Sequence, residues 1–316
     1  MSKSHQVFAD QVRAIPGGEH LEMCYACGTC VSKCMIQQKV EPEYNPRRLL
    51  RMVMMDMREE AFKSPTTWLC SACDLCYPAC PQQIHISGVI GAVKQLAVEA
   101  GYASPLETVT VDESLCSGCG ICVMVCPYEA PFLVEKEIDG QVDRVSEVDA
   151  DKCMGCGICV AACPLGAIAR PGVGNQEVMI QVAVPEVNGA PRLVTFVCDW
   201  CLRAGDDLSL LQSYPSNVRV VHIPCTGRVD PHMALLALRS GIDGVLVCGC
   251  APGECHYKRG TDVSACKIGL LGRMFGQMDI GDGRVRFVQI GTQDRGRIRS
   301  EVDAMLAHLA SWKEAR

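Results

Sequence analysis

A chain of 316 residues has room for two or three domains, and its net charge of -6, with no basic stripe interleaved with aromatics, argues against nucleic acid as a partner. No run of apolar residues reaches the roughly 18 that a membrane span requires. Hydrophobic residues make up 48% of the chain, but 23 residues are cysteine and only 5% are aromatic, so part of the interior must be organised by something other than an oily core.

The cysteines are not scattered. The spacing C-x-x-C-x-x-C-x-x-x-C occurs four times, at Cys24 to Cys34, Cys70 to Cys80, Cys116 to Cys126 and Cys153 to Cys163, and accounts for sixteen of the 23. Thiolates at this spacing hold a 4Fe-4S cluster: three ligands share one tight loop, and the fourth commonly serves a second cluster. Structural zinc normally uses two separated pairs, so three crowded cysteines fit it poorly. Disulfides need an oxidising compartment, yet SKSHQVFADQVRAIPGG after Met1 has no apolar signal region or cleavage site. The expectation is a cytoplasmic, reduced protein.

In residues 1 to about 105, the spacer between the first two quartets reads as mostly helical. Leu49, Leu50, Val53, Met54 and Met57 recur at helical intervals, and the methionines are read as core packing. A further helix is expected over about Ile86 to Ala100, with Val89, Val93, Leu96 and Ala97 on one face. CYACGTCVSKC, NPRRLLRMV, WLCSACDLCYPACP and the helix after them resemble the C-type iron-sulfur subunit of heterodisulfide reductase, an all-helical two-cluster ferredoxin domain. With the fourth cysteine crossing over, Cys24, Cys27, Cys30 and Cys80 would hold one cluster, and Cys70, Cys73, Cys76 and Cys34 the other. Met35 stands where a proline commonly follows the fourth cysteine.

Between about 106 and 172 the two quartets each end in Cys-Pro, at Pro127 and Pro164. PFLVEKEIDGQVDRVSEVD alternates apolar and polar residues about Asp139-Gly140, which predicts a β-hairpin. This region resembles the bacterial two-cluster ferredoxin, a βαβ domain. Its clusters would take Cys116, Cys119, Cys122 and Cys163, and Cys153, Cys156, Cys159 and Cys126. Gly118, Gly120, Gly155 and Gly157 suit loops whose backbone N-H groups approach sulfur, although a plain turn role is equally compatible. Residues 173–191 read as a linker, with VMIQVAV as a possible added strand.

From 192 to 316 the pattern changes to alternating strands and helices. RLVTFVC, VRVVHIPC, GVLVCGC and VRFVQIG are β-branched runs of strand length, each followed by a helical segment, and a last helix is expected over about Asp294 to Lys313. A parallel α/β sheet of flavodoxin-like type follows, and the chain as a whole is multidomain α+β. Cys198 and Cys201, Cys225, and Cys250 and Cys255 fall just past the first, second and third strands, so they share the edge where open sheets bind ligands. A zinc site and unligated buried cysteines are the other readings of this group. Cys248 and Cys266 read as packing residues, and His222 as part of a buried strand.

FVCDWC, HIPCTGRVDP, GIDGVLVCGCAPGECHY and the helix containing Lys267 resemble the delta subunit of methyl-viologen-reducing hydrogenase, which implies a 2Fe-2S cluster. The first choice of ligands is Cys198, Cys201, Cys225 and Cys255, with Cys250 next in line. His256 as a Rieske-like ligand would need a second histidine in a paired motif.

No G-x-G-x-x-G follows a strand, so the chain shows no dinucleotide fingerprint. Together the resemblances imply an electron-transfer subunit of a heterodisulfide reductase-like complex, with four 4Fe-4S clusters and one 2Fe-2S cluster. Its partners would be an A-type flavoprotein of the heterodisulfide reductase kind, which would hold any bifurcating or confurcating flavin, a B-type protein of the same kind, and a donor such as a hydrogenase, formate dehydrogenase or NAD(P)H-linked flavoprotein. Two other readings remain: a catalytic subunit using Cys255, His256 and Lys258 at the sheet edge, or a docking adapter with a structural metal.

Overall fold

The computed structural model describes residues 7–39, 41–138, 140–172, 174–184, 186, 189–201, 214–291, 294 and 296–315. The chain divides into two compact units, Met1–Leu106 and Glu107–Arg316.

The described residues of the first unit contain α-helices and no strand: α1 (Phe8–Arg13), α2 (Thr29–Ser32), α3 (Met35–Lys39), α4 (Pro46–Met54), α5 (Arg58–Lys63), α6 (Pro65–Leu69) and α7 (Ile86–Glu99). The spacer between the quartets is thus broken into four helices, and prolines explain two of the breaks. The Asn45 side chain accepts from Arg48 N at 3.0 Å ahead of Pro46, and Ser64 Oγ accepts from Thr66 N at 3.2 Å ahead of Pro65. A residue before proline is driven out of the helical region, so each cap starts a new helix. Leu49, Leu50 and Val53 pack with Phe8, Phe62, Trp68, Val89 and Val93. The methionine stripe does not continue that face: Met54 is 38% exposed and Met57 half-buried. Helix α4 ends there, and Asp56, at φ 56°, turns the chain away.

The second unit begins with β1 (Thr110–Val111), α8 (Ile121–Val125), β2 (Pro131–Ile138), β3 (Gln141–Val148), α9 (Ile158–Ala162) and β4 (Ile168–Ala169). β2 and β3 form the expected hairpin, closing at Ile138 opposite Gln141, while β1 and β4 pair antiparallel. Gly140 turns at φ 81°; Asp139 lies outside the described residues.

VMIQVAV is not a strand. Residues Asn175–Gln181 form helix α10, whose first turn is tied by the Glu177 carboxylate accepting from Gly174 N at 2.7 Å. Val178 and Val182, one helical turn apart, are buried in the same core as the strands that follow. A four-residue apolar interval at the end of a capped segment outweighs the β-branched composition.

The remaining elements are β5 (Leu193–Cys198), β6 (Val218–Ile223), α11 (Pro231–Arg239), β7 (Gly244–Cys250), α12 (Gly260–Gln277), β8 (Val285–Ile290) and α13 (Arg297–Glu314). The four strands are parallel in the order β6-β5-β7-β8, which is the flavodoxin-like order as far as four strands carry it. The helix expected after β5 falls in 202–213, outside the described residues. Chain direction across the sheet reverses at β5, so the crevice at the carboxyl ends of β5, β6 and β7 is the switch point. Cys248 is fully buried within β7, as expected, but Cys266 is exposed. The buried face of α12 runs through Ser264, Ile268, Leu271 and Phe275, and Cys266 lies two residues off that register. His222 is also not interior: it lies on the edge strand β6, its side chain 38% exposed, with Nδ1 3.5 Å from Asp199 Oδ1. No described helix is long and apolar enough to cross a membrane.

Candidate metal centres

All four C-x-x-C-x-x-C loops share one backbone device. The residue before the second cysteine and the residue after it both have positive φ: Ala26 (55°) and Gly28 (86°), Ala72 (50°) and Asp74 (60°), Gly118 (61°) and Gly120 (76°), Gly155 (62°) and Gly157 (80°). Two left-handed residues about a central cysteine curl the loop so that its three sulfurs face one centre, and a short helix then follows three of the loops, α2, α8 and α9.

The groups formed cross between motifs. One cavity is lined by Cys24, Cys27, Cys30 and Cys80, and another by Cys116, Cys119, Cys122 and Cys163. Cys70, Cys73 and Cys34 act electrostatically on Cys76, and Cys156, Cys153 and Cys126 on Cys159. These are the four crossover sets. Cys30 is a further neighbour of Cys76, and Cys122 of Cys159, so the two sets within each pair are adjacent.

The donor chemistry suits anionic sulfur held by metal. Burial pushes the Cys30 and Cys70 thiols up to about 11 and Cys156 to about 12, so thiolate there needs a compensating positive centre. Backbone donors are already directed at the sulfurs: Ala26 N lies 3.4 Å from Cys24 Sγ and Ser146 N 3.4 Å from Cys116 Sγ, while Cys122 Sγ donates to Ser146 Oγ at 3.2 Å. The Tyr44 side chain, 1% exposed, neighbours the Cys70 and Cys34 sulfurs, and its hydroxyl favours their thiolate forms. Sequence reading missed Tyr44, because nothing in local spacing links it to either quartet.

At the sheet crevice, Cys198, Cys201 and Cys250 gather with their sulfurs within 4.8 Å of one another. Cys198 Sγ is 3.9 Å and Cys201 Sγ 3.8 Å from Cys250 Sγ. Hydrogen bonds from Cys201 and Cys250 hold Cys198 well below the usual thiol range. Cys225, on the next strand end, has its thiol pushed well above the usual range by Cys255, burial and Cys198. All five cysteines thus meet at the switch point, and Cys250, ranked fifth from sequence, lies in the tightest group. Gly260 completes the cradle: a Cβ there would lie 1.9 Å from Cys225 Sγ and 3.7 Å from Cys255 Sγ. Cys255 is only 8% exposed, and the His256 ring stacks on Trp200, so neither is presented as a free catalytic group. This crevice adjoins the ferredoxin-like part of the same unit: Cys156 acts on Cys225, and the half-buried Tyr128 feels Cys156, Tyr257, Cys225 and Cys255.

Fold and sites define an iron-sulfur electron-transfer protein related to component chains of heterodisulfide reductases and hydrogenases. Residues 193–311 match the family described as "Methyl-viologen-reducing hydrogenase, delta subunit", and the chain belongs to that family through this region. Models of 4Fe-4S dicluster domains match residues 20–84, 69–130 and 115–167. The middle match pairs the second quartet with the third, whereas the cavities group the first with the second and the third with the fourth.

Among relatives, the D-type iron-sulfur subunit of the F420-non-reducing hydrogenase of Archaeoglobus profundus is 37% identical over 131 residues, covering 40% of this chain and 96% of its own. The A-type subunit of the ferredoxin/F(420)H(2)-dependent CoB-CoM heterodisulfide reductase of Methanosarcina acetivorans is 34% identical over 139 residues, 43% of this chain and 18% of its own. The C-type subunit of the H(2):CoB-CoM heterodisulfide,ferredoxin reductase of Methanothermobacter marburgensis is 31% identical over 98 residues, 31% of this chain and 51% of its own. The chain therefore spans about half of the Methanothermobacter relative and under a fifth of the Methanosarcina one.

Proposed function

We propose that this chain is a relay protein of a heterodisulfide reductase-like complex, carrying four 4Fe-4S clusters and one 2Fe-2S cluster. Cys24, Cys27, Cys30 and Cys80; Cys70, Cys73, Cys76 and Cys34; Cys116, Cys119, Cys122 and Cys163; and Cys153, Cys156, Cys159 and Cys126 hold the four cubanes. Four of Cys198, Cys201, Cys225, Cys250 and Cys255 hold the fifth centre, with Cys250 among them. When bound, each cluster supplies a one-electron redox couple. The protein's residues anchor it through thiolates, direct N-H and O-H donors at its sulfurs and exclude water, and those are the levers that set its potential.

The observation that carries this reading is adjacency within the second unit, where Cys122 neighbours Cys159 and Cys156 neighbours Cys225. Successive centres would lie side by side from the ferredoxin-like part to the sheet crevice. The relatives' names, those of heterodisulfide reductase A- and C-type subunits and hydrogenase D-type subunits, support partners of the heterodisulfide reductase and hydrogenase kinds. The partners proposed are a flavin-bearing A-type protein, a B-type protein, and a donor such as a hydrogenase, a formate dehydrogenase or an NAD(P)H-linked flavoprotein. Any bifurcating or confurcating flavin would reside in the A-type partner.

Anaerobic iron and acid-labile sulfide analysis with EPR tests the cofactor content. About 18 iron atoms per chain are expected from four cubanes and one two-iron centre. About eight irons with a zinc would defeat the five-cluster account. Serine substitution at each of the five crevice cysteines should abolish the 2Fe-2S signal in four cases and spare it in one, and Cys250→Ser should be among the losses. Copurification with a flavoprotein and a B-type protein tests the assembly.

A further inference from the structure

The two ferredoxin loops of the second unit match in cysteine spacing and in their paired left-handed glycines, yet differ in what lies on those glycines. Beside Cys116 to Cys122, a Cβ on Gly118 would meet the Arg144 carbonyl oxygen at 2.1 Å, and one on Gly120 would meet Leu133 Cδ1 at 3.5 Å. Beside Cys153 to Cys159, a Cβ on Gly155 would meet Arg170 Nε at 3.0 Å, and one on Gly157 would meet Arg228 Cδ at 2.7 Å. Each loop's first glycine also faces a backbone carbonyl, Glu107 O standing 2.8 Å from the Gly155 Cβ position; what distinguishes the second loop is the buried arginine side chains, Arg170 at Gly155 and Arg228 at Gly157.

Arg228 is wholly buried. Its Nη2 donates to Asn175 Oδ1 at 2.8 Å and its Nη1 faces Met233 Sδ at 3.7 Å. Asp230, Cys159 and Glu177 act on it electrostatically, and burial draws its pKa down to about 10, which leaves it protonated at neutral pH. Arg170 Nε is likewise buried, with no hydrogen-bond acceptor. A fixed cation in a poorly screened interior stabilises added negative charge more strongly than one in water.

We propose that Arg228, with Arg170 beside it, sets the cluster on Cys153, Cys156, Cys159 and Cys126 at a higher potential than its sister cluster, making it the electron-collecting member of the pair next to the sheet crevice. This rests on the reading of those cysteines as cluster ligands. A cubane on four thiolates carries net negative charge, and its reduction adds one electron and no proton, so the buried guanidinium favours the reduced form. Arg228 acts through the loop as a positioning residue.

The test is an EPR-monitored redox titration of the full-length, cluster-loaded chain, comparing wild type with Arg228→Met, Arg228→Lys and Asn175→Asp. Asn175 is exposed, and its replacement by Asp sets a carboxylate against the guanidinium without removing the arginine. Arg228→Met and Asn175→Asp should each shift one 4Fe-4S signal to lower potential, by at least about tenfold in its reduction equilibrium, or about 59 mV for one electron. The shifted signal should be the one that Cys153→Ser alters, and Arg228→Lys should shift it less. If Arg228→Met does not load iron, Asn175→Asp alone decides. Unmoved potentials at full iron content, or a shift in a different signal, overturn the role of Arg228. A wild-type iron content too low for a cluster at this quartet overturns instead the reading of the site.

Discussion

The Trp200 indole stacks on the His256 imidazole with ring centroids 3.4 Å apart and planes 18° from parallel. Trp200 sits between Cys198 and Cys201, and His256 directly follows Cys255, so this stack pins together two of the three segments that bring cysteines to the crevice. Tyr257 meets both rings edge-on, at 6.2 Å from Trp200 and 4.7 Å from His256. Truncating a buried tryptophan typically costs about 3–5 kcal/mol, of which stacking itself is about 0.5–1.5 kcal/mol. Trp200→Ala is expected to lower the urea midpoint of the anaerobic protein and to speed loss of the crevice cluster, and Trp200→Phe to do so much less. Equal midpoints for the two variants would show that the stack does not hold the loops.

Gly260 is the first residue of helix α12, and its missing side chain leaves the space that the Cys225 sulfur occupies. A methyl group 1.9 Å from that sulfur has no room unless Cys225 or the helix moves. Gly260→Ala should therefore remove the crevice centre and leave the four cubanes, with iron falling by about two atoms per chain. Retention of the 2Fe-2S signal in this variant would place Cys225 outside the ligand set.

Tyr44 offers a different lever. Its side chain is almost wholly buried beside the Cys70 and Cys34 sulfurs, and burial together with those sulfurs pushes its pKa well above the usual phenol value, so the hydroxyl keeps the proton it can donate to them. A hydrogen bond to thiolate sulfur is stronger in the reduced, more negative cluster, which raises the potential. Tyr44→Phe keeps the ring and deletes the donor. The expected result is a fall on the order of tens of millivolts, tenfold in a one-electron equilibrium being about 59 mV, in one cluster of the first unit. Redox titration reads it directly, and a rise or no change would assign Tyr44 to packing alone.

The contrast between Tyr44 and the quartets marks how far the sequence was legible. Ligand spacing is local and chemically demanding, so the four loops could be read from cysteine positions. The sheet was readable as well, because β5, β6, β7 and β8 are continuous β-branched runs whose ends carry the cysteines. Tyr44, Arg228 and Gly260 were not readable, since each acts on a sulfur or a loop remote in sequence and carries no period or spacing of its own. VMIQVAV was misread for a related reason: a helix of 7 residues, held by Glu177 at its start and by Val178 and Val182 on the core, presents too few residues to display helical periodicity.

The shared backbone of the loops yields a stability test. In the ferredoxin-like pair both left-handed positions are glycine, but in the first unit three of the four are Ala26, Ala72 and Asp74. A residue with a Cβ costs about 1–2 kcal/mol in that conformation, while glycine gives back about 0.5–1 kcal/mol through the greater freedom of its unfolded chain. Ala26→Gly and Ala72→Gly are each expected to stabilise the first unit by about 0.5–1 kcal/mol, and the double variant by roughly the sum if the two loops act independently. Anaerobic urea unfolding, followed with cluster absorbance, measures this. The matching replacements Gly118→Ala and Gly155→Ala should instead destabilise by more, because a Cβ there would also strike the Arg144 carbonyl oxygen at 2.1 Å or the Glu107 carbonyl oxygen at 2.8 Å. Opposite signs at equivalent positions would establish that the loops share a conformation but not their surroundings; destabilisation by the glycine variants would mean that Ala26 and Ala72 make contacts worth more than the strain they carry.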